Sequence, residues 1–184
     1  MKILAFAGSN SEQSVNKKLI HFASTYFKED EVEILDLNDF EMPIYKPERE
    51  ATGIPQLAID FAHKIDNSDL IIMSLAEHNS TYTSAFKNIF DWVSRVKGRK
   101  HFGEKPMFLM STATGPGGGK NVTEAFLKRA PFSGTTVLEN FILPKFKENF
   151  EEGKGIINEE LKAEFEQKVE SVKSRLKGIN FLKI

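Results

Sequence analysis

Small hydroxyl and amide side chains crowd the start of the chain, directly after the apolar run at residues 3–7. They follow Gly8 in the order Ser9, Asn10, Ser11, Ser14 and Asn16, with Val15 opening a helical pattern. Such donors in front of a helix favour an anion, because a helix N-terminus carries partial positive charge. We therefore expect residues 8–16, the first loop, to bind a phosphate group. The alternative is a plain capped turn, since these residue types also lead the N-cap preference.

Two further segments carry residues suited to a planar ligand. The second loop, residues 76–83, follows the apolar stretch 70–75, and its candidate ligand-binding residues are Ala76, Glu77, His78 and Asn79. The third loop, residues 112–119, follows another apolar stretch, and its candidates are Thr112, Gly115, Gly117 and Gly118. Glycines without side chains let backbone N–H groups approach a flat molecule closely, although simple flexibility is the alternative. We expect valine at Gly118 to obstruct this approach while leaving most of the fold intact.

Composition and missing motifs exclude several classes of protein. The chain has no cysteine, so thiolate metal sites, disulfides and thiol nucleophiles are absent. A formal net charge of -1 gives no basic surface for nucleic acid or an anionic membrane. The chain contains neither G-x-G-x-x-G nor G-x-x-x-x-G-K-[ST], and its four histidines lack metal-binding spacing. We expect a cytoplasmic protein, because the first residues lack the pattern of a signal peptide.

Alternating hydrophobic patterns predict five strands and five helices in one domain over residues 1–184. A near-continuous apolar run is typical of a strand that is buried on both faces of a parallel sheet. Right-handed crossovers around a central first strand favour a flavodoxin-like doubly wound α/β fold, with a five-stranded parallel sheet in the order 2-1-3-4-5. This order brings the three loops to one crevice. The predicted strands are 3–7, 32–37, 70–75, 106–114 and 135–141, and the predicted helices are 14–28, 54–65, 85–93, 122–129 and 158–176.

The first loop resembles a motif of the NADPH-dependent FMN reductase family, whose usual form is G-S-x-R-x-x-S-x-N-x-x-L. Gly8, Ser9, Ser14, Asn16 and Leu19 match it. Ser11 occupies the position of the usual arginine, and Lys17 or Lys18 is a candidate replacement for its charge, unless both point to solvent.

The second loop and the helix after it resemble the family's second motif, P-E-Y-N-x-x-x-P-x-x-L-K-N-x-x-D-W. Glu77 and Asn79 match, whereas Ala76, His78 and Thr83 replace proline, tyrosine and proline. The resemblance implies that residues 76–79 lie along the flavin ring. The motif ends in Lys87, Asn88, Asp91 and Trp92; we expect Lys87 and Asp91 to form a surface pair and Trp92 to serve in packing or in a subunit contact.

The resemblance implies an oxidoreductase that holds FMN without a covalent bond and passes hydride from NADPH or NADH to a flavin, a quinone or a similar small acceptor. A flavodoxin-type electron carrier and an inactive interaction module are the alternatives. Carriers are usually strongly acidic and have a T-x-T-G-x-T loop, and this chain has neither feature. The resemblance also implies a homodimer or homotetramer, and the sixteen phenylalanines suggest apolar subunit contacts.

Overall fold

The computed structural model describes residues 1–181, and a five-stranded parallel sheet lies at its centre. The strand order is β2-β1-β3-β6-β7, which confirms the predicted order 2-1-3-4-5, because β4, β5, β8 and β9 belong to two separate hairpins. The strands are β1 Lys2–Gly8, β2 Glu31–Leu35, β3 Leu70–Leu75, β4 Glu77–His78, β5 Thr81–Tyr82, β6 Lys105–Thr112, β7 Thr135–Leu143, β8 Phe150–Glu151 and β9 Gly155–Ile156.

Helices cover both faces of this sheet. The α-helices are α1 Val15–Ser24, α2 Pro47–Glu50, α3 Gln56–Asp66, α4 Ser84–Val93, α5 Lys120–Arg129, α6 Phe146–Asn149 and α7 Glu159–Phe181, and short 3-10 helices span Thr25–Phe27, Leu37–Phe40 and Ala130–Ser133. Helices α1 and α7 pack on one face of the sheet, and α3, α4 and α5 pack on the other.

Burial explains why the central strands read as unbroken apolar runs. Every residue of β3 is buried, and so are residues 3–8 of β1, because helices lie on both sides of them. Strand β2 lies at the edge of the sheet and is mostly exposed. The parallel strands all end at the same edge, which is where the first, second and third loops begin.

The predicted elements exist, but several boundaries differ. Helix α1 ends at Ser24 and continues as a 3-10 turn, whereas the sequence predicts one helix over 14–28. Strand β2 ends at Leu35 rather than at residue 37, because the Asp36 side chain accepts from the Asn38 N–H and starts a 3-10 helix. The final helix continues beyond residue 176.

Phenylalanine fills the interior of this protein rather than its surface. Of the phenylalanine side chains that the structure describes, only Phe132 is strongly exposed, at 71%. On α4, Phe86, Ile89 and Trp92 are buried in the chain's own core. The expected apolar subunit contact therefore draws no support from these phenylalanines.

Candidate cofactor site

The first loop joins the buried end of β1 to α1 through a network of short hydrogen bonds. The Ser9 hydroxyl accepts from the Ser11 N–H at 3.2 Å, and the Ser14 hydroxyl caps α1 by accepting from the Lys17 N–H at 3.3 Å. Ser9 and Ser14 are buried, whereas Asn10 and Ser11 are exposed. The polar side chains therefore fold the loop around the start of α1, as the phosphate-site hypothesis requires.

Several backbone donors of this loop have no acceptor within residues 1–181. They include the N–H groups of Glu12, Gln13, Val15 and Asn16, where the loop enters α1. The first N–H groups of a helix have no partner inside the helix, so an anion at this position satisfies them and meets the positive end of the dipole. The first loop thus has the donor set that a phosphate monoester needs.

The Asn16 side chain is bonded to the protein itself. Its side chain is 2% exposed, its Nδ2 donates to the Thr112 carbonyl at 3.0 Å, and its Oδ1 accepts from the Thr112 N–H at 3.1 Å and from the Ser74 hydroxyl at 2.7 Å. The carboxamide therefore links the start of α1 to the ends of β3 and β6. Asn16 therefore positions the first loop through its side chain, and its part in binding phosphate stays a prediction.

The two lysines that follow the loop are already paired with carboxylates. Lys17 contacts Asp36 at 2.6 Å, and Lys18 contacts Glu152 at 2.9 Å. Burial acts to raise the pKa of Asp36, but Lys17 and Asn38 outweigh it and hold this pKa below its ordinary value. Ser11 stands where the family motif has arginine, and neither Lys17 nor Lys18 offers an unpaired charge in its place.

The second loop forms a β-hairpin that the sequence does not predict. Strands β4 and β5 pair antiparallel, and Asn79 and Ser80 form the two-residue turn with φ values of 51° and 62°. Positive φ at both residues is typical of a tight type I′ turn, and asparagine tolerates this conformation better than most residues. His78 and Asn79 are exposed on the hairpin, and Ala76 is buried at its base.

Two residues of the second loop fasten it to neighbouring elements. The Glu77 carboxylate accepts from the Val122 N–H at 2.9 Å and so caps the N-terminus of α5. The Thr83 hydroxyl donates to the Gly8 carbonyl at 2.9 Å and accepts from the Phe86 N–H at 3.1 Å, so that it caps α4 and holds it against the first loop. Thr83 thus caps the N-terminus of α4 at the position where the family motif usually has proline.

The glycines of the third loop fall into two pairs. Gly118 and Gly119 have φ values of 59° and 88°, and a Cβ on Gly118 would lie 2.6 Å from Ile142 Cγ2. Gly115 and Gly117 avoid this left-handed region, and a Cβ on either would meet no protein atom within 4 Å. The expected effect of valine at Gly118 is therefore wrong, because the side chain would strike the protein itself. Gly115 and Gly117 form the open side of the third loop.

Hydrogen bonds bring the three loops together at one edge of the sheet. Thr112 is bonded to Asn16 and its hydroxyl donates to the Leu143 carbonyl at 2.7 Å, so the third loop starts from a fixed point. Within the described chain, the N–H groups of Gly115 and Gly117 have no acceptor. Unpaired amides at glycines, which have no side chain to obstruct a ligand, suit an electron-rich edge of a flat ring, and the donors of the first loop suit a phosphate. The site therefore fits FMN.

Asn88 and Trp92 are functional candidates whose contacts the sequence does not reveal. The Asn88 side chain donates to the Met42 carbonyl at 2.9 Å and accepts from the Tyr45 N–H at 2.9 Å. The indole N–H of Trp92 donates to the Pro43 carbonyl at 2.7 Å. Both residues belong to the K-N-x-x-D-W motif, which marked them as candidates. The motif does not show that residues 42–45 are their partners.

A cavity of about 600 Å³ lies beside the first loop. Asn10 of the first loop, the segment after β2 and the first turns of α4 line it. Within residues 1–181 no three His, Asp or Glu side chains are grouped closely enough to hold a metal ion, and no helix is both long and apolar enough to cross a membrane.

Comparison with known proteins identifies the family of the chain. A family model described as NADPH-dependent FMN reductase matches residues 1–171. The chain is 28% identical to a 2-hydroxy-1,4-benzoquinone reductase of Burkholderia over 116 residues, which are 62% of each protein. It is also 28% identical to an NADPH:quinone oxidoreductase of Arabidopsis thaliana over 126 residues, covering 66% of this chain and 62% of the relative. The match thus spans less than two thirds of the length of either relative.

A solved structure with a similar fold is that of another oxidoreductase. FerB, a flavoenzyme NAD(P)H:(acceptor) oxidoreductase from Paracoccus denitrificans, superposes with a TM-score of 0.73 over 94% of this chain and 97% of its own, at 20% identity. This likeness confirms the flavodoxin-like α/β fold. With the family model covering nearly the whole chain, the chain belongs to the NADPH-dependent FMN reductase family, a family of flavin-dependent oxidoreductases.

Proposed function

We propose that this chain is an NAD(P)H-dependent FMN oxidoreductase that reduces a flavin, a quinone or a similar small acceptor. The observation that carries the proposal is that unpaired backbone N–H groups at the start of α1 and at Gly115 and Gly117 lie at the same edge of the sheet. FMN, when bound, supplies the redox chemistry: it takes a hydride from the nicotinamide and passes two electrons to the acceptor. The net reaction converts NAD(P)H, a proton and a quinone to NAD(P)⁺ and a hydroquinone.

The residues of the chain have binding and positioning roles in this proposal. Ser9, Ser14 and the N–H groups of Glu12, Gln13 and Val15 surround the phosphate, with Asn10 and Ser11 at its exposed side. Asn16 and Thr112 fix the distance between the first and third loops. Residues 76–79 form one wall of the ring site, and Gly115 and Gly117 form the opposite edge. Gly118 and Gly119 fold the third loop without facing the ligand.

Phosphate recognition gives the first experiment. The full chain is titrated with FMN and with riboflavin, which differ only in the phosphate. Two charge-assisted hydrogen bonds of about 1.5 kcal/mol or more each predict that FMN binds at least about a hundredfold more tightly. Equal affinities would contradict a phosphate site in the first loop.

Kinetics separates an enzyme from an electron carrier. We expect NADPH or NADH to bleach the bound flavin under anaerobic conditions, and we expect parallel double-reciprocal lines, because one crevice serves the reductant and the acceptor in turn. Bound FMN that neither nicotinamide reduces would identify a carrier. A protein that takes up no FMN would be an interaction module.

The location, the domain organisation and the assembly state belong to the same proposal. We propose one FMN-binding domain in the cytoplasm, assembled as a homodimer or homotetramer with no nucleic acid or membrane partner. The support is the family resemblance together with the small net charge. Sedimentation at micromolar concentration tests the assembly, and a monomer would overturn it.

A further inference from the structure

A second cavity lies between α1 and the hairpin that β8 and β9 form, on the face of the sheet that α7 also covers. We call it the hairpin groove, and its walls come from residues 18–28 and 150–155. Its volume is about 480 Å³, which is within the range of small-molecule sites. Its lining residues all lie outside the first, second and third loops. The hairpin groove is therefore separate from the cofactor site.

Two aromatic rings form an apolar floor in the hairpin groove. The rings of Phe22 and Phe150 meet edge-to-face with centroids 5.7 Å apart, and both residues are only partly buried. Gly155 has a φ of 84°, and a Cβ on this residue would collide with the Phe22 ring. The hairpin backbone therefore lies directly against Phe22, which only glycine permits at this position. The ring surface that stays uncovered suits a flat apolar ligand.

Positive charge surrounds this aromatic floor. The charged residues that line the hairpin groove are Lys18, Lys28, Lys154 and Glu152. Three lysines and one glutamate give the lining an excess of positive charge. A groove with an apolar floor and a positive rim is complementary to a molecule that combines a flat ring with a negative group.

One of these lysines already holds a carboxylate at the edge of the groove. The Lys18 Nζ lies 2.9 Å from Glu152 Oε2, and the Glu152 side chain is 82% exposed. An ion pair so open to water contributes little to stability, so the carboxylate of a ligand can replace that of Glu152. The pair thus marks the position that a ligand carboxylate would take.

We propose that the hairpin groove binds a small aromatic carboxylate, with its ring on Phe22 and Phe150 and its carboxylate at Lys18 in place of Glu152. The positive rim favours this anion over a neutral molecule of the same shape, and the aromatic floor favours it over an inorganic anion. The inference goes beyond the proposed function and does not depend on it.

The walls of the hairpin groove are connected to the cofactor site without being part of it. Just before the hairpin, the Lys145 N–H donates to the Gly115 carbonyl and the Phe146 N–H donates to the Ala113 carbonyl, each at 3.0 Å. The other wall, α1, begins at the first loop. A ligand in the hairpin groove therefore contacts two elements that position the cofactor site. We expect it to bind together with FMN rather than to displace it.

Two matched probes test the charge argument. The FMN-loaded full chain is titrated by calorimetry at low salt with 2-naphthoate and with 2-naphthamide, in which a neutral amide replaces the carboxylate. We expect 2-naphthoate to bind saturably and about fivefold more tightly than 2-naphthamide or better, and high salt to reduce the difference. Equal affinities at low salt, or no binding of 2-naphthoate, would overturn the proposal.

Matched variants locate the binding. His21 lines the hairpin groove, whereas His63 is an exposed residue of α3 on the opposite face of the sheet. We expect His21→Trp to fill the groove and weaken binding of both probes by about tenfold or more, and His63→Trp to leave both affinities unchanged. Lys28→Gln should weaken 2-naphthoate about threefold, and Glu152→Gln should tighten it about threefold, without affecting 2-naphthamide. Lys128→Gln, at an exposed lysine of α5, is the control for charge.

The outcomes distinguish this inference from the proposed function. Release of FMN by 2-naphthoate would assign the probe to the cofactor site and overturn the inference. Unchanged 2-naphthoate binding in Lys28→Gln and Glu152→Gln, which alter only exposed side chains, would place the probe elsewhere and overturn it as well. Wild-type protein that binds 2-naphthoate in the hairpin groove, but whose flavin neither nicotinamide reduces, would refute the proposed function and leave this site standing.

Discussion

Substitution by alanine should lower the stability of the protein at Gly118 and its affinity for FMN at Gly117, although the two glycines are adjacent in the third loop. In Gly118→Ala the new Cβ would lie 2.6 Å from Ile142 Cγ2 and 3.0 Å from Pro144, at a φ of 59°. The left-handed backbone costs an L-residue about 1–2 kcal/mol, and overpacking adds about 1–3 kcal/mol. We therefore expect a loss of about 2–5 kcal/mol in the free energy of unfolding. For a protein of this size the melting temperature should fall by about 5–20 °C.

Gly117→Ala should leave the stability of the protein unchanged and weaken FMN binding. Its Cβ meets no protein atom within 4 Å and its φ lies outside the left-handed region, so only a bound ligand can clash with it. A steric cost of about 1.4–2.8 kcal/mol corresponds to a ten- to hundredfold weaker affinity for FMN.

The assay combines thermal unfolding without ligand with a fluorescence titration of FMN on the wild type and both variants. If Gly117→Ala binds FMN like the wild type, the open side of the third loop does not face the flavin, and the assignment of Gly115 and Gly117 fails. If Gly118→Ala melts like the wild type, the packing argument against Ile142 and Pro144 fails.

Three further predictions follow from the same contacts. Asn16→Ala should lower the free energy of unfolding by about 2–4 kcal/mol in urea denaturation, because it breaks three buried hydrogen bonds. Ser14→Ala removes only a helix cap and should lower it by about 1 kcal/mol, and equal losses in the two variants would contradict the linking role of Asn16. Asp36→Asn should free Lys17 and tighten FMN binding a few-fold at low salt, but not at high salt. If the FMN affinity of this variant equals that of the wild type at low salt as well, Lys17 stays away from the phosphate. Burial first, and then Arg129 and Arg99, lower the pKa of His101 to about 4. Between pH 4 and 6.5 the unfolded chain therefore binds a proton at His101, whereas the folded chain does not. Stability should therefore fall by about 1–2 kcal/mol from pH 7 to pH 4 on account of this half-buried group, and His101→Gln, but not the exposed control His63→Gln, should remove that part of the pH dependence.

The sequence was sufficient for the strands and for the edge where the loops meet. The apolar runs of β1 and β3 could only be central strands, and the polar residues after them had to lie at the carboxyl edge of the sheet. The hairpin at residues 77–82 was missed because Asn79-Ser80 lacks the glycine that marks most two-residue turns.

Roles within the site were harder to predict than its position. The carboxamide of Asn16 could serve a phosphate or the protein equally well, and only the position of Ser74 and Thr112 decides between them. Gly117 and Gly118 are the same residue type, and only the packing of Ile142 against one of them separates the two. The sequence predicts that Trp92 serves in packing or in a subunit contact. Its bond to Pro43 was not predictable, because residues 41–45 have no periodic pattern that would place them beside α4.

The phosphate site that we propose consists of neutral donors. Ser11 stands where the family motif has arginine, and Lys17 and Lys18 are each held by a carboxylate. The remaining donors are hydroxyls and backbone N–H groups, whose directions are fixed by the Ser14 cap and by the bonds of Asn16. A site of this kind distinguishes a phosphate by geometry more than by charge. Its affinity for FMN should therefore depend only weakly on salt, because few of its contacts are between full charges.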